Sequence, residues 1–260
     1  MQSLKDKVIF LTGGSKGIGL ECAKKYREAG AHVVIAANDA PSLTEAVGLL
    51  GDRCMGILCD VSGAVDVERA IGQTLEQYGR IDVIHNNAGI ANPSRPLHET
   101  EEEEWNSLFD VNVKSIFFTA RYGLEALKRS GGCILNTSSL VAEIGQENHA
   151  AYSATKGAVN SLTKSMALDY ARYKIRVNAV APAGVWTPLL REWGEAQQNA
   201  SQIREYLDDI HVLGYCPEGD VVADACVFLV SDKARFITGH IMPVSGGAEL
   251  GYRRQAQGLI

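Results

Sequence analysis

The stretch "KVIFLTGGSKGIG", Lys7–Gly19, decides the fold. An apolar, β-rich run passes directly into a glycine loop, and the loop opens a helix. Gly13, Gly17 and Gly19 allow a tight turn in which backbone N–H groups can approach a pyrophosphate. The N-terminus of the helix then faces that anion. Ser15, Lys16 and Ile18 complete the loop. A glycine loop alone is weak evidence; after the first strand of a β-α-β unit it predicts a dinucleotide site.

Six further runs repeat the pattern. They are "HVVIAA" (His32–Ala37), "MGILCD" (Met55–Asp60), "IDVIHN" (Ile81–Asn86), "GCILNTSS" (Gly132–Ser139), "IRVNAVAP" (Ile175–Pro182) and "HIMPVSGG" (His240–Gly247). Near-continuous apolar strands imply burial on both faces, hence a parallel sheet covered by helices. Regular alternation of strand and helix predicts an α/β doubly wound Rossmann fold with a seven-stranded parallel sheet. No linker, composition break or repeat divides the chain, so residues 1–260 are expected to form one domain. Only between Pro182 and Glu218 does the rhythm fail. There "REWGEAQQNASQIREYLDDIH" reads as helical, and an insertion at about 186–217 is well placed to act as a substrate lid.

Composition narrows the function. The chain has 260 residues, 46% hydrophobic and 22% charged, with a formal net charge of -6. Basic residues are dispersed, so nucleic acid is not expected as a partner. The acidic run Glu101–Glu104 is expected to open a helix, where carboxylates suit the N-terminal dipole. The six cysteines form no CxxC pair and sit in apolar segments. They read as small buried hydrophobes in a reducing compartment, and no metal site is expected. No signal peptide or membrane-spanning run is evident, which predicts a soluble cytoplasmic protein.

The end of the second strand bears on the cofactor. An Asp there would bond the ribose 2′-OH of NAD, and an Arg would pair with the 2′-phosphate of NADP. The chain offers Ala36, Ala37, Asn38 and Asp39. Lys16 would favour a phosphate, Asp39 would oppose one, and Asn38 can bond a hydroxyl. The absence of a phosphate-pairing Arg tips the reading towards NAD. Asp60 and Val61 in "CDV", and Asn87, Ala88 and Gly89 in "NNAG", end the third and fourth strands, where adenine and ribose would lie.

"YSATK" places Lys156 four residues after Tyr152, on the same helix face. A free Tyr has a pKa near 10. Work as a base near pH 7 needs a shift of about three units, or roughly 4 kcal/mol of preferential phenolate stabilisation. A buried ammonium one turn away is a source of it. Ser139 ends the preceding strand and can hydrogen-bond a substrate oxygen.

These residues resemble the short-chain dehydrogenase/reductase family along nearly the whole chain. The match comprises TGGSKGIG, Asp60, NNAG, Asn112 in "DVNV", Ser139 and YSATK. The resemblance implies a tetrad of Asn112, Ser139, Tyr152 and Lys156. Tyr152 would remove the hydroxyl proton as hydride leaves for nicotinamide. Lys156 would lower the tyrosine pKa and hold the nicotinamide ribose. Ser139 would orient the substrate oxygen, and Asn112 would support a proton-carrying water. In "PAGVWTP", Pro182, Val185 and Thr187 fall where the nicotinamide carboxamide is held. Ala183 departs from the family's usual glycine and puts the local turn in doubt.

The substrate region contributes Asn92, Arg95, Gln146, Glu147, Asn148, His149, Trp186, Arg191 and Trp193. Many donors and acceptors around indole rings suit a polyhydroxylated ring, and the two arginines would suit a carboxylate or sulfonate. Alternatively, His149 caps its helix, Arg191 is solvated and Trp193 packs the lid. "SSLVAEIGQ", "ATKGAV", "WTPL" and "GGAELGY" resemble the branch containing L-fucose dehydrogenase and a related 17β-hydroxysteroid dehydrogenase. By that resemblance Gln146, Trp186 and Leu189 line the substrate pocket, and Tyr252 reaches a neighbouring subunit. The readings are oxidation of a sugar's anomeric hydroxyl to a lactone, including an acidic sugar, or oxidation of a steroid or other secondary alcohol. A third, of another class, is a dinucleotide-binding regulator without turnover, which the intact tetrad disfavours. The family resemblance also implies a homo-oligomer, with a tetramer favoured.

Overall fold

Val8–Thr12 (β1) is buried at every position. Its side chains alternate: Ile9 and Leu11 enter one apolar cluster, and Phe10 enters another on the opposite face. The period of two therefore feeds two cores, as the apolar run requires. The structure, a computed structural model, describes residues 3–195 and 199–251, apart from the side chains at 193, 200 and 201.

The other strands are His32–Ala37 (β2), Cys54–Leu58 (β3), Val83–Asn86 (β4), Cys133–Thr137 (β5), Arg176–Pro182 (β6) and Ile241–Val244 (β7). They form one seven-stranded sheet in the order β3-β2-β1-β4-β5-β6-β7. Every neighbouring pair is parallel. The expected doubly wound sheet is present. The chain reverses its direction of winding between β1 and β4, and this is where such sheets open a crevice. β7 is shorter than its apolar run. Gly246 and Gly247 adopt φ of 58° and 83°, which ends the extended backbone.

Helices cover both faces. Gly17–Glu28 (α1), Ala40–Leu50 (α2) and, later in the chain, Asp220–Val230 bury Cys22, Tyr26, Leu43, Ala46, Val222 and Cys226 on the side of Leu11. On the side of Phe10, Ala64–Tyr78 (α3) presents Val67 and Ile71. Glu102–Phe109 (α4) opens at the acidic run, as expected. Glu101 and Glu104 form a reciprocal capping box at its start. A π-helical turn, Asp110–Lys114, joins α4 to Ser115–Ser130 (α5). Ala150–Tyr170 (α6) carries Tyr152 and Lys156. After β6 come two helices, Pro188–Glu195 (α7) and Ala200–Asp209 (α8), in the expected helical insertion; Asp220–Val230 is α9. An isolated parallel bridge between Trp186 and Glu218 ties the two ends of the insertion together. All six cysteines are free. No described helix is long and apolar enough to cross a membrane.

Candidate active site

The glycine loop fits a pyrophosphate by what it leaves out. A Cβ on Gly19 would lie 2.1 Å from the Gly13 carbonyl oxygen and 2.5 Å from Asn87 Nδ2. A Cβ on Gly13, at φ +65°, would lie 2.8 Å from the Ala88 backbone. Only glycine lets this turn lie against the end of β4. Lys16 occupies the N-cap position of α1 without a side-chain cap, so the first N–H groups of the helix remain for an anion.

Around the loop lies a cleft of about 360 Å³. Ser15, Ile18, Asn38, Asp60, Val61, Asn87, Ala88, Gly89 and Thr187 line it together with Gly13, Lys16, Gly17 and Gly19. Pro182 and Val185, foreseen beside the carboxamide, are buried at and just after the end of β6 and are not part of this lining. Ile90 and Val111 also line the cleft and were not foreseen; neither carries a polar signal. Asp60 holds its own turn by accepting from the backbone and hydroxyl of Ser62, at 2.9 and 2.8 Å. Ala183 does not adopt a positive φ, so alanine is accommodated without strain where the family usually has glycine.

Lys16 Nζ and Asp39 lie 3.0 Å apart at the end of β2. Asp39 also caps α2 by accepting from Ser42 N at 3.2 Å. The Ser42 hydroxyl, then Lys16, hold its carboxyl below the usual carboxylate range.

The second half of the site hangs on β4, β5 and α6. Thr12 Oγ1 accepts from the N–H groups of Asn87 and Ala88, at 3.0 and 3.1 Å. Asn112 sits in the π-helical turn and is buried. Its Oδ1 accepts from Ile90 N at 2.8 Å. Its Nδ2 donates to Ile90 O at 2.8 Å and to Thr155 Oγ1 at 3.0 Å. Asn112 therefore clamps the segment after NNAG onto α6, and the π turn aims it there.

Tyr152 lies in the first turn of α6, and Lys156 one turn later. Lys156 Nζ is 5.6 Å from the Tyr152 ring centre and donates to Thr137 O at 2.8 Å. Burial lowers the lysine to about 8. Burial also pushes the Tyr152 phenol up, and a hydrogen bond from Ser139 opposes that shift. The sequence expectation of a depressed tyrosine is not met. Both groups are desolvated, and the ammonium donates to the Thr137 carbonyl while its charge lies 5.6 Å from the phenol ring centre.

The substrate candidates separate into groups. His149 stands at the N-cap position of α6 but makes no side-chain cap. Its Nδ1 contacts Glu147 O at 3.0 Å, and its ring meets Tyr152 edge-on, centres 6.3 Å apart. Gln146 is exposed in the same loop. Trp186 lies under two guanidinium groups, Arg191 at 5.2 Å and Arg204 at 5.4 Å. Leu189 is 60% exposed and lines the cofactor cleft. Both foreseen arginines are already paired: Arg95 with Glu104 at 3.1 Å, and Arg191 with Glu218. Arg95 lines a separate cavity with Asn92, Glu103 and Ser107. The side chain of Trp193 and all of Tyr252 lie outside the described residues.

Comparison with known proteins agrees with this geometry. A family model described as enoyl-(acyl carrier protein) reductase matches residues 13–249. The chain is 38% identical to L-fucose dehydrogenase of Bos taurus, over 96% of this chain and 92% of that protein. An aldohexose dehydrogenase structure from Thermoplasma acidophilum matches with a TM-score of 0.89 and 32% identity, covering 96% of this chain and 97% of that one. A 3-ketoacyl-(acyl-carrier-protein) reductase from Brucella melitensis, solved with NADH, matches with a TM-score of 0.87 and 33% identity, covering 94% and 99%. The chain belongs to the short-chain dehydrogenase/reductase family and is an NAD(P)-dependent oxidoreductase of CH–OH groups.

Proposed function

We propose that the protein oxidises the anomeric hydroxyl of a neutral aldose to a lactone, with NAD as the acceptor. The observation that carries this reading is the gathering of Ser139, Tyr152 and Lys156 beside Gly89 of the glycine-lined cleft, with His149 of the polar loop against the Tyr152 ring. Similarity to L-fucose and aldohexose dehydrogenases supports a sugar. The pairing of Arg95 with Glu104 and of Arg191 with Glu218 favours a neutral sugar over an acidic one, because a substrate carboxylate would have to displace the one each arginine already holds. The pairing of Lys16 with Asp39 favours NAD, because the loop's cation is already neutralised where a 2′-phosphate would sit.

Bound nicotinamide would supply the hydride acceptor. Ser139 Oγ orients the sugar hydroxyl, and Tyr152 Oη takes its proton. Lys156 holds the ribose and, with its charge beside the phenol, favours the phenolate. Asn112 fixes Ile90 and so the wall facing the ribose. The insertion of α7 and α8 closes over the sugar and excludes water. Exposed Phe117 on α5 and Leu168 on α6, 52% and 82% accessible, support assembly into a tetramer through these helices. Six free thiols fit the cytoplasm.

The test is NAD and NADP reduction over neutral aldoses, uronic acids and steroid alcohols, with the product identified by NMR. Turnover of a neutral aldose with NAD is expected, and Tyr152→Phe should lose roughly 10²–10⁴-fold in kcat. Turnover confined to steroids or uronic acids would overturn the substrate.

A further inference from the structure

His85 is a buried histidine in the middle of the sheet, just before NNAG, and no part of the reaction uses it. Both its ring nitrogens are engaged. Nδ1 meets the buried Tyr26 hydroxyl at 3.0 Å, and Nε2 meets Thr137 Oγ1 at 3.0 Å. Thr137 Oγ1 donates to Asn87 Oδ1 at 3.4 Å. Having used its proton there, Thr137 must accept from His85, so Nε2 carries the ring proton and Tyr26 donates to Nδ1. Burial lowers His85 to about 3, so this neutral tautomer is fixed across the working pH range.

The chain of bonds continues in two directions. Asn87 Nδ2 donates to the carbonyls of Thr12 and Gly13, at 3.1 and 3.0 Å, which holds the glycine loop. The backbone carbonyl of Thr137 accepts the Lys156 ammonium at 2.8 Å. Thr137 thus touches both halves of the site, and His85 touches Thr137. Cys22, Cys226 and His85 also bring ligand atoms within 4.8 Å of one another. That group is sealed in the core, and His85 has no free nitrogen for a metal.

We propose that His85 is a positioning residue that holds Thr137, whose side chain braces Asn87 and the glycine loop and whose backbone carbonyl seats Lys156. The proposal rests on the reading of Lys156 as part of the reaction. A Gln at this position can place its amide nitrogen where Nε2 lies. An Asn reaches only the Nδ1 position and cannot bond Thr137.

The experiment compares His85→Val, His85→Asn, His85→Gln, Tyr26→Phe and Lys156→Met by NAD binding, kcat and melting temperature. His85→Val and His85→Asn should weaken NAD binding severalfold and lower kcat roughly tenfold, the scale of one lost hydrogen bond. His85→Gln should restore both to within about threefold. Tyr26→Phe removes the ring's other bond, so it should lower the melting temperature and leave both kinetic quantities in place. Should His85→Val fail to fold, Asn against Gln carries the comparison. Equal behaviour of Asn and Gln, or a Tyr26→Phe defect as large as that of His85→Val, would reduce His85 to core packing and overturn the proposal. A fully active Lys156→Met would overturn the reading of the lysine instead.

Discussion

Lys156 is costly where it stands. Its ordinary value of 10.5 falls to about 8 because the fold buries the charge. Below pH 8 the folded protein bears the whole desolvation penalty. Between about 8 and 10.5 the unfolded chain binds more protons than the folded one, so stability rises with pH across that window. Lys156→Met should therefore be more stable than the parent at pH 7, by up to about 3 kcal/mol. Its activity should fall away, and its melting curve should lack the rise above pH 8. Calorimetry from pH 6 to 10 checks this; an unchanged or lower melting temperature at pH 7 would refute it. The i+4 spacing from Tyr152 was legible in the sequence, because a helix puts both on one face. The sign of the tyrosine shift was not. It depends on how deeply the finished fold desolvates the phenol, against which the Ser139 hydrogen bond acts in the opposite direction. His85 was illegible for a related reason. In "IDVIHN" it reads as one polar residue in an apolar strand, and its partners Tyr26 and Thr137 meet it only in three dimensions.

Elements impose a different test on identical residues. Gly19 and Gly48 both lie in helices, α1 and α2. A Cβ at Gly48 would meet nothing within 4 Å, whereas one at Gly19 would strike Gly13 and Asn87. Gly48→Ala should stabilise the protein by about 0.5–1 kcal/mol and leave catalysis unchanged. Gly19→Ala should weaken NAD binding at least tenfold, since the turn must open to admit the methyl. Fluorescence titration with NADH and thermal melts separate the two; tight binding by Gly19→Ala would contradict the packing described. The strands were legible because continuous apolar runs leave few alternatives for a two-sided sheet. Their ends were less so: β7 stops at Val244, where glycines with positive φ take over. The π turn at Asp110–Lys114 had no period by which to be seen. "DVNV" pointed to Asn112, but not to the extra residue per turn that aims it at Ile90.

For the whole molecule, the buried polar groups dictate the response to acid. His85 goes from 6.5 to about 3 on burial. From pH 6.5 down to about 3 the unfolded chain takes up a proton that the folded one refuses, so stability is lost as pH falls through this window. Asp39 and Asp232, both held below the usual carboxylate range by hydrogen bonds, add losses at lower pH. His85→Gln should flatten the profile between pH 6.5 and 4 and leave the steeper loss below it. Denaturant midpoints at several pH values check this; parallel profiles for the two proteins would rule it out.

Among the described residues, no strand pairs with the outer edge of β7, the last strand of the sheet. An open edge is a template on which stray chains can add further strands, the first step towards fibrillar aggregates. Pro243 sits in the middle of that strand, in register with Ala181. A proline tolerated in a sheet turns its missing N–H away from its neighbour, so an incoming strand finds a gap in the row of donors. The strand is also only four residues long. The same short, proline-bearing strand that completes the sheet thus also limits its growth.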